Sequence, residues 1–292
     1  MDMDKRRKET IAFSDEMLHY GIYAPRPNDG VREIPWHWHD EFEFGQVCTG
    51  SVVYRTNYHS FRLGAGDGIF INSGVLHSLQ LVQAQENATF QTQFFDRSFL
   101  AGSSGSIFDI RYLVPVQDQR LLDAVPLYYR EEKSRAFLDA LGAAAELGMR
   151  REMFYEMRIR AIFSELWETV YAWADSSKGA RMDFHPAEDE RIKEMMTYIR
   201  QNYQKKLSVA ALAREVHVSE RECYRLFRSI LGITPGEFLL SLRLQKAQEL
   251  LRGSDLSILE IALETGFGTS SYFGKVFRMY HHITPNAYRK LK

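Results

Sequence analysis

Short apolar stretches dominate the first third of the chain. Between residues 31 and about 96 they are separated by turn signals, of which the glycine-rich cluster at 64–68 is the densest. No segment between these stretches is long enough for a helical crossover between parallel strands. The spacing therefore predicts a β-sandwich or β-barrel, which we place at residues 1–117.

Helical periodicity replaces this pattern over residues 118–175. Gly148 is placed to end the first of two amphipathic helices, and the second helix carries one broad apolar stripe. The stripe comprises Met153, Met157, Ile159, Ile162, Phe163, Leu166, Val170 and Trp173. The simplest use of this stripe is to cover the barrel. Because two helices offer more apolar surface than one barrel flank needs, we expect the hairpin to contribute a dimer surface as well.

A polar segment, "DSSKGARMDFHPAED", follows the predicted hairpin. It contains Gly179 and Pro186, and its composition is typical of a linker. We place the linker at residues 176–189. After it, the pattern predicts an all-helical domain at 190–292.

The last hundred residues contain an internal duplication. "LFRSILGITPGEF" at 226–238 is repeated as "VFRMYHHITPNAY" at 276–288, and "LSVAALAREVHVS" at 207–219 is repeated as "LSILEIALETGF" at 256–267. The offsets are 50 and 49 residues, so one residue is inserted near the turn of the second copy. A repeat of this kind indicates a repeated supersecondary unit.

Each copy reads as two short helices joined by a tight turn, at about 207–229 and 256–279. In the first copy, Ser219 with Glu222 three residues later has the pattern of a capping box. The turn of the second copy contains Gly266, which suits a positive φ, where the first copy has His217. The second helix of each copy has a basic outer face, which is typical of a helix-turn-helix. A plain helical bundle with solvated charges is the alternative, and the duplication argues against it.

The charge is unevenly distributed along the chain. Residues 186–292 contain 17 Lys and Arg against 12 Asp and Glu, and the remainder contains 20 against 26. A polyanion partner for the basic part explains this difference, and so does chance variation in a mixed surface. The two cysteines form no disulfide framework, and no signal peptide or apolar run of about 18 residues is present. We therefore expect a cytoplasmic protein with no membrane partner.

Residues 190–292 resemble the DNA-binding domain of AraC/XylS-type transcriptional regulators, through the pattern "GF…SYF…VFR…TP…YR". The resemblance implies a long helix at about 235–252 between the two units. It also implies that each second helix enters the DNA major groove. One departure is His282, where the family usually has glycine.

The resemblance also assigns the DNA contacts by position. The base-reading residues would be Arg221, Tyr224 and Arg225 in the first copy and Ser270, Ser271, Gly274 and Lys275 in the second. Arg228 and Arg278 are placed to bind phosphates, which position the protein without specifying sequence. Since arginine pairs well with guanine O6 and N7, we expect stronger base discrimination from the first copy.

A second candidate site is the stretch "HWHDEFEF" at 37–44. On one strand, alternation would place His37, His39, Glu41 and Glu43 on a single face. The stretch also resembles the first motif of the cupins, with His37, His39, Glu43 and Gly50 at the family's spacing. The second cupin motif is partial: Gly66, Gly74 and His77 match, whereas Asn72 and Leu81 replace the usual Pro and Asn.

Three interpretations of this polar row remain open. His37, His39, Glu43 and His77 would hold a divalent metal if they point inward together. Alternatively, these four residues and Glu41 would hydrogen-bond a polar, sugar-like ligand without a metal. No cofactor is therefore certain, and a divalent metal is the one candidate. In the third interpretation the row faces solvent.

Together these features predict an α+β protein of two domains, with a cupin-like barrel and helical hairpin before an all-α domain of two helix-turn-helix units. We expect a ligand-sensing regulator that binds double-stranded DNA, has no catalytic residues and forms a homodimer. It would contact RNA polymerase if it is an activator. The alternative is a metal-dependent cupin enzyme, an isomerase or oxygenase, with a DNA-binding tail.

Overall fold

The computed structural model of the chain describes residues 13, 17–25, 33–82, 88–119, 122–176 and 186–290. They belong to two compact units, one within residues 8–184 and one within 185–292. Most of the predicted linker at 176–189 lies outside the described residues. In the ranges that are described, no helix combines the length and apolar content needed to cross a membrane.

The described part of the N-terminal unit contains two antiparallel sheets. Its strands are β1 Tyr20–Tyr23, β2 Glu33–His37, β3 Phe42–Thr49, β4 Ser51–Thr56, β5 Ser60–Gly64, β6 Gly68–Ile71, β7 His77–Leu81, β8 Thr89–Phe95 and β9 Ala124–Leu127. One sheet has the order β1-β8-β3-β6-β9 and the other β2-β7-β4-β5. The predicted β-rich domain is confirmed as two sheets, and no described ladder closes them into a single barrel.

The central strand β3 is covered on both faces. Phe42 and Phe44 pack against helical aromatic side chains, with ring centroids 4.7 Å from Trp167 and 5.4 Å from Phe137, respectively. Glu43 points the other way, and it is also buried. This double burial explains why the strand reads as a nearly continuous apolar run with one carboxylate in it.

Helices cover the five-stranded sheet. They are α1 Arg97–Ala101, a π-helical turn Asp109–Leu113 that continues into α2 Val114–Gln117, α3 Glu132–Arg150 and α4 Tyr155–Ser176. The hairpin therefore begins later than the predicted 118, because Ala124–Leu127 pairs with β6 as an edge strand. Periodicity does not separate a short apolar strand from a helical turn.

The prediction that Gly148 ends the first helix is wrong. α3 continues to Arg150 and is capped by Arg151, whose φ of 51° is left-handed. Gly148 lies inside the helix, and a Cβ there would meet Tyr20 and Ile22 of β1. Its missing side chain allows close packing and does not terminate the helix.

Most of the predicted apolar stripe on α4 covers the sheet. Its buried or partly buried members are Ile159, Ile162, Phe163, Leu166, Val170 and Trp173. Met153 and Met157 at the start of the stripe are exposed, at 76% and 71%. The stripe therefore serves mainly as core.

The described part of the C-terminal unit is all-helical. Its helices are α5 Pro186–Asn202, α6 Val209–Glu215, α7 Glu220–Leu226 with a following π-helical turn Phe227–Leu231, α8 Pro235–Gly253, α9 Ile258–Glu264, α10 Ser270–His281 and α11 Pro285–Arg289. The predicted helix-turn-helix units are confirmed as α6–α7 and α9–α10. α8 lies between them in the chain, as the family resemblance implies.

Side-chain caps mark where these helices begin. Thr234 and Glu237 form a capping box at the start of α8. At α7, the Ser219 hydroxyl accepts from the Glu222 N–H, but the Glu222 carboxylate bonds to Arg225. The second half of the predicted box at Glu222 is therefore replaced by an ion pair.

Candidate functional site

The first predicted DNA-contact face lies on α7 and the π-helical turn after it. Arg221, Tyr224, Arg225 and Arg228 are all exposed there, while the opposite side of the helix is buried in the core of the unit. The helix is short and starts at a capped serine, so its first turn carries the exposed side chains at a defined position. Such a face suits insertion into a major groove.

Arg225 is engaged by two carboxylates on this face. Its Nε donates to Glu222 Oε2 at 2.8 Å, and its Nη2 donates to Glu222 Oε1 at 2.8 Å and to Glu188 Oε1 at 2.6 Å. The hydrogen bond from Arg225 lowers the pKa of Glu222, which therefore stays ionised at neutral pH. Glu188 belongs to α5 and falls in the predicted linker, so sequence reasoning missed it. Of the two contacts, only the one between Glu222 and Arg225 could be expected from the sequence, because residues three apart are neighbours on a helix surface.

The second predicted face lies on α10. Ser270, Ser271, Lys275 and Arg278 are exposed, and Gly274 is half-buried. All of these except Ser271 line an open groove of about 750 Å³ beside the helix. This face carries hydroxyls and two cationic side chains, Lys275 and Arg278, whereas the first face carries three arginines, one of them paired with two carboxylates.

The four residues of the possible metal site converge between the sheets. His37 ends β2 and pairs with His77, which begins β7, in the four-stranded sheet. Glu43 is in β3 of the five-stranded sheet, and His39 lies in the connection from β2 to β3. The ligand atoms of all four lie within 4.8 Å of one another. The structure thus places them together from both sheets.

The cluster is buried and centred on one carboxylate. The exposed fractions are 7% for His37, 1% for His39, 3% for Glu43 and 1% for His77. Glu43 Oε2 lies 3.2 Å from His39 Nε2 and 3.0 Å from His77 Nε2. The imidazoles of His39 and His77 therefore both contact the same carboxylate oxygen, Glu43 Oε2.

Backbone carbonyls define which nitrogen carries the proton in each histidine. Nδ1 lies 2.8 Å from the Pro35 carbonyl in His37 and 2.8 Å from the Val75 carbonyl in His77. Nδ1 of His39 lies 3.0 Å from the Glu41 carbonyl. Since a carbonyl only accepts, each Nδ1 donates, and a neutral ring then has its lone pair on Nε2. Fixing the tautomer in this way is typical of metal-binding histidines.

The electrostatics of the cluster call for a positive charge at its centre. Burial, followed by the charges of His77 and His39, lowers the pKa of His37 well below its usual range, so that ring is neutral at neutral pH. Burial alone would raise the pKa of Glu43, but the charge of His77 and the Nε2 contacts of His39 and His77, which donate when those rings are protonated, lower it below its usual range. With neutral rings, two Nε2 lone pairs would face an ionised carboxylate. A proton or a metal cation removes that repulsion.

A divalent transition metal fits this donor set. Imidazole nitrogens with a carboxylate suit Zn, Fe, Ni or Mn. Ligands about 2.1 Å from one ion are about 3.4 Å apart in a tetrahedron, a separation similar to those from Glu43 to its two histidines.

Glu41 does not join the cluster. The chain leaves β2 at His37 and begins β3 at Phe42, so the predicted single-strand row is broken. Glu41 Oε2 lies 3.6 Å from His39 Nδ1, on the ring edge away from Glu43. Burial raises the pKa of its carboxyl. Alternation fails here because it holds only within one uninterrupted strand.

Tyr54 is a neighbour of the cluster that sequence reasoning missed. Its hydroxyl lies 3.4 Å from Glu43 Oε1, whereas His39 and His77 contact the other carboxylate oxygen, Oε2. Gly45 lies two residues after Glu43 on the same strand, and a Cβ there would collide with the Tyr54 hydroxyl. The glycine after the carboxylate was a signal for this close approach.

Two protein-family models match the chain. The model described as AraC-like ligand binding domain matches residues 19–166, and the one described as helix-turn-helix domain matches residues 212–291. The first covers the two-sheet unit with its helices through most of α4. The second covers most of both helix-turn-helix units.

Relatives align over most of the chain. The HTH-type transcriptional activator RhaS of Salmonella arizonae is 33% identical over 264 residues, with 88% of each chain covered. The uncharacterized HTH-type transcriptional regulator YdeC of Bacillus subtilis is 25% identical over 293 residues, covering 99% of this chain and 98% of that protein. The crystal structure of ToxT from Vibrio cholerae covers 94% of this chain and 98% of its own, with a TM-score of 0.51 and 14% identity. This last likeness concerns the fold alone.

Proposed function

The chain belongs to the AraC family of DNA-binding transcriptional regulators, and we propose that it reads duplex DNA through the outer faces of α7 and α10. It has an N-terminal ligand-binding domain and is a regulator, not an enzyme. The observation that carries the proposal is the pair of helix-turn-helix units, each with exposed Arg or Lys side chains on its second helix or directly after it.

Within this proposal the two faces have different roles. Arg221, Tyr224 and Arg225 would discriminate bases in one groove. Ser270, Ser271, Gly274 and Lys275 would read the other groove less sharply, because hydroxyls pair with several bases. Arg228 and Arg278 would bind phosphates and set the register.

The DNA-reading role is tested by Arg221→Ala. A duplex is first selected from a random-sequence library by the wild-type protein, and binding is then measured by fluorescence anisotropy on single-base-pair variants. We expect the loss of one bidentate contact to cost about 1–3 kcal/mol and to relax the preference at one or two base pairs. The control is Arg214→Ala, an exposed arginine on α6 away from both faces. An unchanged sequence preference in Arg221→Ala would remove this residue from the base contacts.

A small effector in the N-terminal unit would shift the population of DNA-competent molecules by binding one arrangement more tightly. A homodimer is supported by two exposed methionines, Met153 in the α3–α4 turn and Met157 in the first turn of α4. Light scattering on the full chain measures this directly. A contact with RNA polymerase would follow if the protein activates transcription.

We propose in addition that the His37, His39, Glu43 and His77 cluster holds a divalent transition metal. The support is the convergence of three buried imidazoles and one buried carboxylate within 4.8 Å, with Nε2 of His39 and His77 directed at that carboxylate. A bound ion would tie the two sheets together and would place a charge where the domain senses its effector. The alternative occupant is a small polar effector such as a sugar, bound without metal.

The metal proposal is tested by elemental analysis of protein purified without chelator, and by thermal shift with Zn²⁺, Mn²⁺, Fe²⁺, Ni²⁺ and a panel of sugars. We expect about one metal ion per chain, lost in His77→Ala together with the thermal shift. The control is His59→Ala, because His59 pairs with Asp123 at 3.0 Å and lies outside the cluster. Stabilisation by a sugar with no bound metal would favour the alternative occupant.

A further inference from the structure

We propose that Glu188, which lies outside both helix-turn-helix motifs, determines how sharply Arg225 reads DNA. The inference rests on the proposed DNA-reading role of α7. It starts from the ion-pair group that Arg225 forms with Glu222 and Glu188. In this group Glu222 positions the arginine, and Glu188 competes with DNA for it.

The two carboxylates use different parts of the guanidinium. Glu222 takes the side edge with both of its oxygens, since Nε bonds to Oε2 and Nη2 bonds to Oε1, each at 2.8 Å. Nη2 carries two hydrogens. Glu188 Oε1 accepts the other one at 2.6 Å. That hydrogen belongs to the end edge, which is formed by Nη1 and Nη2.

Guanine recognition by arginine needs one complete edge of the guanidinium, with two parallel N–H groups for O6 and N7. Glu222 occupies the side edge of Arg225, and Glu188 takes one hydrogen of the end edge. As long as both bonds are present, no complete edge is open to a base. Release of Glu188 alone would open the end edge while Glu222 still holds the side chain in place. The two acids therefore have opposite effects on DNA reading.

The charge balance of the group has the same consequence. One guanidinium is matched by two carboxylates, so these three side chains have an excess negative charge on a face that must approach phosphates, and the charge of Arg191 offsets part of it. The group is also partly solvated, with side-chain exposures of 46% for Arg225, 30% for Glu188 and 28% for Glu222. Solvated ion pairs are weak, which makes exchange of Glu188 for a base energetically accessible.

The position of Glu188 in the chain links this contact to the rest of the protein. Glu188 lies in the first turn of α5, which follows the segment that joins the two units in sequence. A displacement of this turn would make or break the bond to Arg225.

The test compares Glu188→Ala, Glu222→Ala and Glu190→Ala in the full chain. Glu190 is exposed two residues further along α5, so its removal takes away one negative charge close to the same helix start. The probe is the duplex selected by the wild-type protein, with single-base-pair variants of it, measured at one salt concentration. Unfolding curves establish that each variant is folded.

We expect Glu188→Ala to bind the selected duplex about two- to five-fold more tightly, the range for an exposed ion pair. The gain should disappear when the base pair read by Arg225 is replaced, and it should be absent in an Arg225→Ala background. Glu222→Ala should weaken binding and relax the preference at the same base pair. Glu190→Ala should change affinity equally for all duplexes, if at all.

If Glu188→Ala and Glu190→Ala raised the affinity for every duplex equally, the effect of Glu188 would be one of general charge, and the inference would be overturned. Unchanged binding by Glu188→Ala, or an Arg225→Ala variant with unaltered preference, would overturn it too. In each of these cases the selected duplex and the Arg221→Ala result stand, so the proposed function survives. If the wild-type protein selects no sequence, the proposed function itself fails.

Discussion

At the scale of single residues, the two helix-turn-helix copies differ at two equivalent positions with left-handed backbone, where one copy has glycine and the other has histidine. The residue that ends the recognition helix segment is Gly232 in the first copy, with φ 71°, and His282 in the second, with φ 60°. In the turn inside each motif the order is reversed, with His217 at φ 54° and Gly266 at φ 78°. Left-handed backbone is roughly 1–2 kcal/mol less favourable for residues with a Cβ. The departure at His282 from the usual glycine thus has a backbone cost but leaves the helix cap in place.

We therefore predict that His282→Gly stabilises the C-terminal unit. The gain should be about 0.5–1 kcal/mol, because relief of the left-handed penalty is partly offset by the greater chain entropy of glycine in the unfolded state. The matched change is Gly232→Ala, where a Cβ would meet nothing within 4 Å, so only the backbone penalty applies. It should destabilise by a similar amount. Denaturant unfolding followed by circular dichroism measures both, and a loss of stability in His282→Gly would contradict the prediction.

At the scale of secondary-structure elements, α3 shows how a glycine inside a helix can be read wrongly. Gly148 has the spacing of a helix terminator, but it lies where α3 packs closely on β1. Gly142 is in the same helix, where an added Cβ would meet only Gln46 Oε1 at 3.7 Å. The two glycines therefore have different roles that their sequence context does not distinguish.

These roles lead to a paired prediction. Gly142→Ala should stabilise the N-terminal unit by about 0.5–1 kcal/mol, since alanine favours the helix and the site has room. Gly148→Ala should lose that gain or destabilise, because its Cβ would lie 3.2 Å from the Tyr20 ring and closer to Ile22. Thermal unfolding of the two variants side by side tests this. Equal stabilisation in both would mean that β1 and α3 have room to separate.

At the scale of the whole molecule, a chain with a net charge of only −1 divides its charge between a basic and an acidic part. DNA affinity should therefore depend on local cations and not on the overall charge. For Arg278→Ala we expect weaker binding to all duplexes and a slope of log affinity against log salt that is shallower by about 1. Binding titrations at several salt concentrations measure the slope. A change in sequence preference with an unaltered slope would identify Arg278 as a base contact.

Sequence alone predicted most of the helical C-terminal unit. The apolar and cationic positions of α7 and α10 are set within single helices a few residues long. Because the same pattern recurs at an offset of 50 residues, the sequence indicates this local structure independently in two places. The convergence of His37, His39, Glu43 and His77 agrees with two of the three interpretations left open by the motif spacing, a metal site and a metal-free ligand site. Their metal or ligand role remains a proposal.

Tertiary structure decided the rest, because it depends on contacts between distant residues. Alternation along "HWHDEFEF" implied one strand face, whereas the chain turns from one sheet to the other and leaves Glu41 aside. Short apolar runs such as Ala124–Leu127 become strands only when a neighbouring edge is there to pair with them. The contact of Glu188 with Arg225 joins residues 37 positions apart, beyond the reach of any helical or strand period. The sequence by itself determined where the second helix of each helix-turn-helix unit lies. The tertiary structure decided which side chains converge with Glu43 and which acid outside these units holds Arg225.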